Sequence, residues 1–393
     1  MLKAKEILKK YTMVFVLILV IIMFTIGTGG KILLPANINN LIAQNAYVFV
    51  LATGMLLCIL TGGNIDLSVG SVVCFVGAIG GTLMSQKNVS IPVAILVMIV
   101  VGIGIGIWQG FWIAYVKIPP FIVTLAGMLV FRGLSNVILN GLTISPMPDK
   151  YLAIFNSYVP DFFGGTNMNI TCMLAGVLAC VIFIALQIKN RRNRAKNGYE
   201  LERLSGVIVK TSVICVAVLA FMYKLSLHKG IPYVLLWVVV IILIYSYITS
   251  KTTTGRYFYA VGGNEKATKL SGINTNKVYF LAYLNMAFLA AVAGMITIAR
   301  LNSANPTAGT NYEMDAISAC VVGGVSLSGG RGTVPGVFLG GLIMAIIGKA
   351  LPLIGVSQFW QSAIKGLIIL FAVILNVITQ RTMDKNALKG REM

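Results

Sequence analysis

Apolar runs of roughly 20 residues recur along the whole chain, long enough to cross a bilayer as helices. The runs are continuous, not alternating. Helices rather than barrel strands are therefore expected, because backbone groups in lipid must satisfy one another. The pattern places spans at 12–29, 41–61, 67–85, 91–115, 120–141, 168–187, 208–227, 231–249, 278–299, 315–328, 334–351 and 358–379. The tenth is short and ends in Ser326-Leu327-Ser328-Gly329-Gly330-Arg331-Gly332, which reads as the end of a half-helix. The expected fold class is all-α: a polytopic transmembrane helix bundle of about 12 spans, with interrupted helices, forming a single domain over 1–393.

The polar gaps carry the information. The longest basic, Gly-rich one is 254–273, Thr-Gly-Arg-Tyr-Phe-Tyr-Ala-Val-Gly-Gly-Asn-Glu-Lys-Ala-Thr-Lys-Leu-Ser-Gly-Ile. It is read as a loop outside the bilayer. Two further gaps, 143–169 and 301–313, are long and polar, and each could dock a partner or serve as a solvated connector. Two interruptions echo one another around a Leu-Ser pair: 62–71, with Asn64, Asp66, Ser68 and Ser71, and 323–330, with Ser326 and Ser328. Matched interruptions in two halves of a chain point to a transport pathway. Asp66 has two readings. It lines that pathway with Asn64, Ser68 and Ser71, or it caps the third span by accepting N–H bonds from the first turn. The cap is preferred, and the two can coexist.

Composition narrows the class. Only 11% of the 393 residues are charged, against about 25% in soluble domains, and mean hydropathy is +0.89. The net charge of +20 would suggest nucleic acid in a soluble protein, but no basic helix or aromatic platform accompanies it. Most of the 31 basic residues instead fall on one side of the membrane when the N-terminus is inside: Lys3 to Lys10, the loop 189–203, the stretch 251–277 and the tail 381–391. The opposite side holds Lys31, Lys87, Lys150, Lys224, Lys229, Arg300 and Lys349. Both termini are thus expected in the cytoplasm. Lys3 to Lys10 before an apolar run resemble a signal peptide, yet no A-x-A site follows, and the run is read as the first span. Arg132 and Lys365 lie within spans and need partners or water.

The chemistry is sparse. The six cysteines sit in apolar segments without a C-x-x-C pair and read as small buried hydrophobes. His228 is the single histidine, and no nucleophile–base pair or metal cluster is spaced for catalysis. An enzyme, a cofactor or a metal is not expected. Leu327-Ser328-Gly329-Gly330 looks like an ATPase signature, but no G-x-x-x-x-G-K-[ST] loop occurs. Few intramembrane acids argue against an ion-coupled secondary carrier, so the energy source belongs on another polypeptide. Glycines four apart (Gly77 and Gly81; Gly102, Gly106 and Gly110; Gly336 and Gly340) read as helix-packing positions.

Several motifs together resemble the permease subunits of ATP-binding-cassette (ABC) importers for monosaccharides, the group of ribose, galactose and xylose permeases. They are Asn64-Ile65-Asp66-Leu67-Ser68-Val69-Gly70-Ser71, Pro120-Phe121-Ile122-Val123-Thr124-Leu125-Ala126-Gly127-Met128, Asn140-Gly141-Leu142-Thr143-Ile144-Ser145, the stretch 255–273, and Met314-Asp315-Ala316-Ile317. The layout is similar to a xylose-type or multiple-sugar permease, with about ten core spans plus two inserted ones. Its parts are first-half spans in 12–167, the insert 168–228, and second-half spans in 231–379 with a cytoplasmic coupling loop at 250–277.

The resemblance implies a cell-membrane homodimer with an ATP-binding subunit and an extracytoplasmic sugar-binding protein, and a cargo such as xylose, galactose, ribose or arabinose. It implies a coupling helix around 265–270, with Gly262, Gly263, Asn264, Glu265, Ala267, Leu270 and Gly272 at the ATPase. Asn305, Glu313 and Asp149 would dock the binding protein. A permease for another small polar solute is the alternative.

Overall fold

Proline and the small polar residues decide where most helices begin. A computed structural model describes residues 2–199, 201, 203–357, 359–371 and 373–374, with side chains from residue 12 onward. In chain order the helices are α1 Leu2–Gly27, α2 Pro35–Leu60, α3 Val69–Gly81 with a π turn Thr82–Gln86, α4 Ile91–Ala114, α5 Pro120–Leu139 and α6 Asp149–Phe155. Then come α7 Ile170–Lys196, α8 Leu204–Ser226, α9 Tyr233–Lys251, α10 Thr253–Gly263 and α11 Glu265–Leu270. The last are α12 Thr275–Leu301, α13 Tyr312–Val322, α14 Val334–Leu353 and α15 Phe359–Phe371. Pro at the first turn opens α2, α4, α5 and α14, where its missing N–H costs nothing. Side chains of Asn169, Thr252, Asn264, Asn274 and Thr333 cap α7, α10, α11, α12 and α14.

Among the described residues, nine helices are long and apolar enough to cross a membrane: α2, α3 with its π turn, α4, α5, α7, α8, α9, α12 and α14. The fold is an all-α, multi-pass helix bundle. The central element is α2, with an unbroken buried run from Val48 to Leu60. It is wrapped by α12, α13, α14 and α9, while α3 and α4 close against α12. Lipid supplies no hydrophobic drive between helices, so small residues set the closest approaches. A Cβ on Gly102 would lie 2.5 Å from Ala291 Cβ, and one on Gly106 would lie 2.8 Å from Leu284 Cα, so α4 and α12 pack through this glycine row. Gly336 and Gly340 likewise meet Gly323 and Ala319, joining α14 to α13.

Two expectations shift, and the short tenth segment is as expected. The stretch 254–273 is mostly helical, as α10 and α11, not a loop. The gap 143–169 contains α6, whose Tyr151 is buried and donates its hydroxyl to Met295 O at 2.8 Å. The tenth span is α13, 11 residues long and about half a bilayer at 1.5 Å per residue. Of the expected span 358–379, α15 is described and residues 375–379 lie outside the described part, as does the basic tail 381–391.

Candidate functional site

The α10–α11 hairpin is built from local signals. Asn264 Oδ1 accepts the Ala267 N–H at 3.0 Å and starts α11. Gly272, at φ +81°, ends it: its N–H donates to Lys269 O at 3.0 Å and the Ile273 N–H to Thr268 O at 3.3 Å. That pair of bonds is a Schellman stop, which needs a left-handed residue after the cap. Asn274 then caps α12 through the Lys277 N–H at 3.0 Å. Glu265 Oε2 accepts the Tyr279 hydroxyl at 3.0 Å, tying α11 to α12. Ala267 is exposed, and Leu270 is 89% exposed, an apolar side chain offered to whatever lies beyond this face.

The hairpin stands on a seat of glycines. Phe258 and Val261 bury one face of α10. Gly262 then runs against the end of α2, so close that a Cβ would fall 1.7 Å from Leu60 O. The Gly330 N–H donates to that same Leu60 O at 3.0 Å, and a Cβ on Gly63 would lie 2.0 Å from Leu327 O. The two interruptions of the sequence therefore meet in space, and the end of α10 meets both. Gly262, Gly263, Ser326, Ser328, Gly329, Gly330 and Arg331 line a cavity of about 260 Å³. Ser326 and Ser328 pair their hydroxyls at 2.8 Å. Tyr259 donates to Gly332 O at 2.9 Å, a further tie from α10 to this loop. The expected coupling residues Gly262 and Gly263 and the expected pathway residues Ser326 and Ser328 share one site.

The other pathway candidates lie deeper. Asp66 is 1% exposed, and its Oδ1 accepts the Ser68 N–H at 2.8 Å and the Ser68 hydroxyl at 2.6 Å. Ser68, not Asp66, holds the N-cap position of α3, so the carboxylate makes an Asx turn ahead of the helix instead of capping its first turn. Gln109 of α4 donates to Ser68 Oγ at 2.7 Å. Gly127 of α5 makes room: a Cβ there would lie 2.6 Å from Gln109 Nε2. Ser71 is buried one turn into α3, and Asn64 is half-buried with Nδ2 on Thr61 O at 3.2 Å. Among the described residues, Ser71 Oγ, Gln109 Oε1 and Tyr283 Oη keep hydrogen-bonding capacity unused within the protein. Sequence reading missed Gln109, although it is the single amide in an otherwise apolar span.

On the opposite face, the loop 302–311 folds into the bundle along α3. Cys74 Sγ lies 3.5 Å from Asn305 O and from Pro306 O, and Gly309 packs against Gly70. Arg132 Nη1 holds this descent by donating to Pro306 O at 3.0 Å and Ala308 O at 2.7 Å. Glu313 is consequently buried beside Gly70, Asn305 is half-buried, and Asp149 is exposed. The two long polar gaps touch: Ile144 and Ala304 exchange backbone hydrogen bonds at 2.9 Å. Asp161 in the first gap is partly desolvated, which raises its pKa. N–H bonds from Gly165, Thr171 and Ile170 outweigh that and hold the carboxyl well below the usual range.

A family model described as a branched-chain amino acid transport system permease component matches residues 37–373. The xylose transport system permease protein of Haemophilus influenzae is 37% identical over 384 residues, covering 98% of this chain and 100% of that protein. The xylose transport system permease protein of Escherichia coli K12 is 35% identical over 374 residues, covering 95% and 93%. The ribose import permease protein of Bacillus subtilis is 40% identical over 343 residues, covering 87% and 85%. No solved structure gives a significant match. The resemblance read from the motifs holds over nearly the whole length. The chain belongs to this family of transport-system permease components, which carry solutes across membranes and are not enzymes.

Proposed function

We propose that this chain is the membrane subunit of an ABC importer for a monosaccharide of the xylose or ribose class. It crosses the cytoplasmic membrane twelve times with both termini inside, as ten core spans plus the inserted pair α7 and α8. The charge asymmetry of the loops supports that orientation; beyond the nine long helices, the shorter apolar helices α1 and α15 would each cross, and the half-helix α13 would complete a crossing together with the inward-folded loop 302–311. It works as a homodimer with a separate ATP-binding subunit and an external sugar-binding protein.

One observation carries the reading. A short capped helix, α11, projects an exposed Leu270 from a base seated directly on two interrupted membrane segments. That is the geometry of a handle. ATP-driven motion of a partner gripping 265–270 would reach the loops 61–68 and 326–331 through backbone contact at Gly262. For transport, the two states must differ in free energy with and without nucleotide. The solute would meet hydroxyls, one amide and one carboxyl group (Asn64, Asp66, Ser68, Ser71, Ser326 and Ser328), a polar but sparsely charged route suited to a cargo selected elsewhere. Binding-protein docking falls to the opposite face, where Asp149 is accessible and Asn305 partly so, whereas Glu313 is buried and is not available for docking in this conformation.

Glu265→Lys, or a proline within 265–270, should leave membrane insertion intact and uncouple ATP hydrolysis from uptake. Normal uptake of labelled sugar in either variant would remove the assignment. The family model's own description favours a second reading, a permease for another small polar solute. Uptake of xylose and ribose, set against a branched-chain amino acid, separates the two.

A further inference from the structure

Ionisable side chains inside a membrane are costly, and a paired one calls for a role. One such pair lies within this bundle, away from the seat of α10. Lys365 Nζ of α15 is 3.0 Å from Asp315 Oδ1 of α13, with side-chain exposures of 34% and 14%. The other carboxylate oxygen, Oδ2, accepts the Tyr47 hydroxyl of α2 at 2.7 Å. Tyr47 stacks on Tyr312, the first residue of α13, with ring centroids 3.5 Å apart. Both oxygens of Asp315 are thus committed to two other helices, and the first turn of α13 is held at two points. Lys365 passes α14 beside Gly348, where a Cβ would sit in ordinary contact with Lys365 Cε at 3.8 Å.

The held element matters because of what it joins. α13 is a half-helix, and its far end runs into the 326–331 loop under α10. A short helix transmits displacement from that loop only if its other end is fixed. We propose that Lys365 is a positioning residue that, with Tyr47, clamps Asp315 and so makes α13 the rigid link between the coupling seat and the deeper pathway. This rests on the transport reading above.

The test uses the complete transporter in cells and the purified full chain in detergent. Removing one partner of this partly buried ion pair leaves the other charge without its counter-ion, whereas exchanging both restores complementarity. Asp315→Asn and Lys365→Met should each lower uptake of labelled xylose or ribose about tenfold. ATP hydrolysed per sugar should rise while the amount of inserted protein stays unchanged. The exchanged pair Asp315→Lys with Lys365→Asp should recover uptake to within about threefold of wild type. Tyr47→Phe, which removes one neutral donor, should cost about two- to fivefold.

Wild-type uptake in the single variants overturns the proposal, as does an exchange no better than the singles. A loss explained by less inserted protein, with ATP per sugar constant, also overturns it. If the wild-type transporter takes up neither sugar, the cargo reading fails and the clamp is read by melting temperature. The singles should then melt lower and the exchange should recover, and failure to recover overturns the clamp.

Discussion

At Gly262 a Cβ would fall 1.7 Å from Leu60 O and 2.5 Å from Gly330 N, whereas at Gly263 it would meet nothing within 4 Å. Backbone atoms cannot swing aside as a flexible side chain can. Gly262→Ala should therefore destabilise the chain by about 3 kcal/mol and disable uptake, at the upper end of overpacking costs. Gly263→Ala should change stability by less than about 1 kcal/mol. Melting curves of the two purified variants check the contrast, and equal behaviour would refute the seat. Asp161 offers a test by pH. Its folded pKa is depressed, so its contribution is fully present above about pH 4, the unfolded value, and is lost as pH falls towards the folded one. Protection of amides in 161–171, expressed relative to their intrinsic exchange rate at each pH, should be high at neutral pH and fall once the pH drops below about 4. Asp161→Asn should show low protection at both.

At the scale of elements, α11 depends on a cap and a stop. Asn264→Ala removes the acceptor for the Ala267 N–H and should cost about 1 kcal/mol, fraying α11 and weakening capture of the ATPase subunit in pull-down assays. This helix was reached through the family resemblance, although its start and stop, Asn264 and Gly272, are local signals that the sequence itself carries. Its neighbour α10 was not legible in sequence. Thr253, Thr254, Gly255, Gly262 and Gly263 are poor helix formers, and burial of Phe258 and Val261 overrides that preference. The same division runs through the site. The Asx turn at Asp66 involves residues two apart and could be anticipated as a cap of some kind. Its continuation to Gln109, 41 residues beyond Ser68, is created by helix crossing. The polar gap holding the loop 302–311 was open to two readings, a partner dock or a solvated connector, and neither foresaw its inward fold. Arg132, 174 residues before Pro306, satisfies its carbonyls and draws it inward.

At the scale of the whole molecule, α7 and α8 form a hairpin that pairs mainly with itself, and none of the most apolar window of α8 is buried. The chain leaves for it and returns at one point: Val159 N donates to Ile231 O and Tyr233 N to Ser157 O, each at 2.8 Å. Replacing 162–229 by a short Gly-Ser linker should leave a monodisperse membrane protein, which size-exclusion chromatography in detergent would reveal. Aggregation would show that the hairpin belongs to the core. The central place of α2 has a consequence for how the protein is made. Its neighbours α9, α12, α13 and α14 are all encoded more than 170 residues downstream. At ordinary synthesis rates, α2 waits on the order of ten to fifty seconds for α12 to emerge. A nascent chain in that interval must shelter a helix whose first turns carry Asn37, Asn39, Asn40 and Gln44. Biogenesis of this protein should therefore depend on a membrane insertase or chaperone that holds the early helices until their late partners arrive.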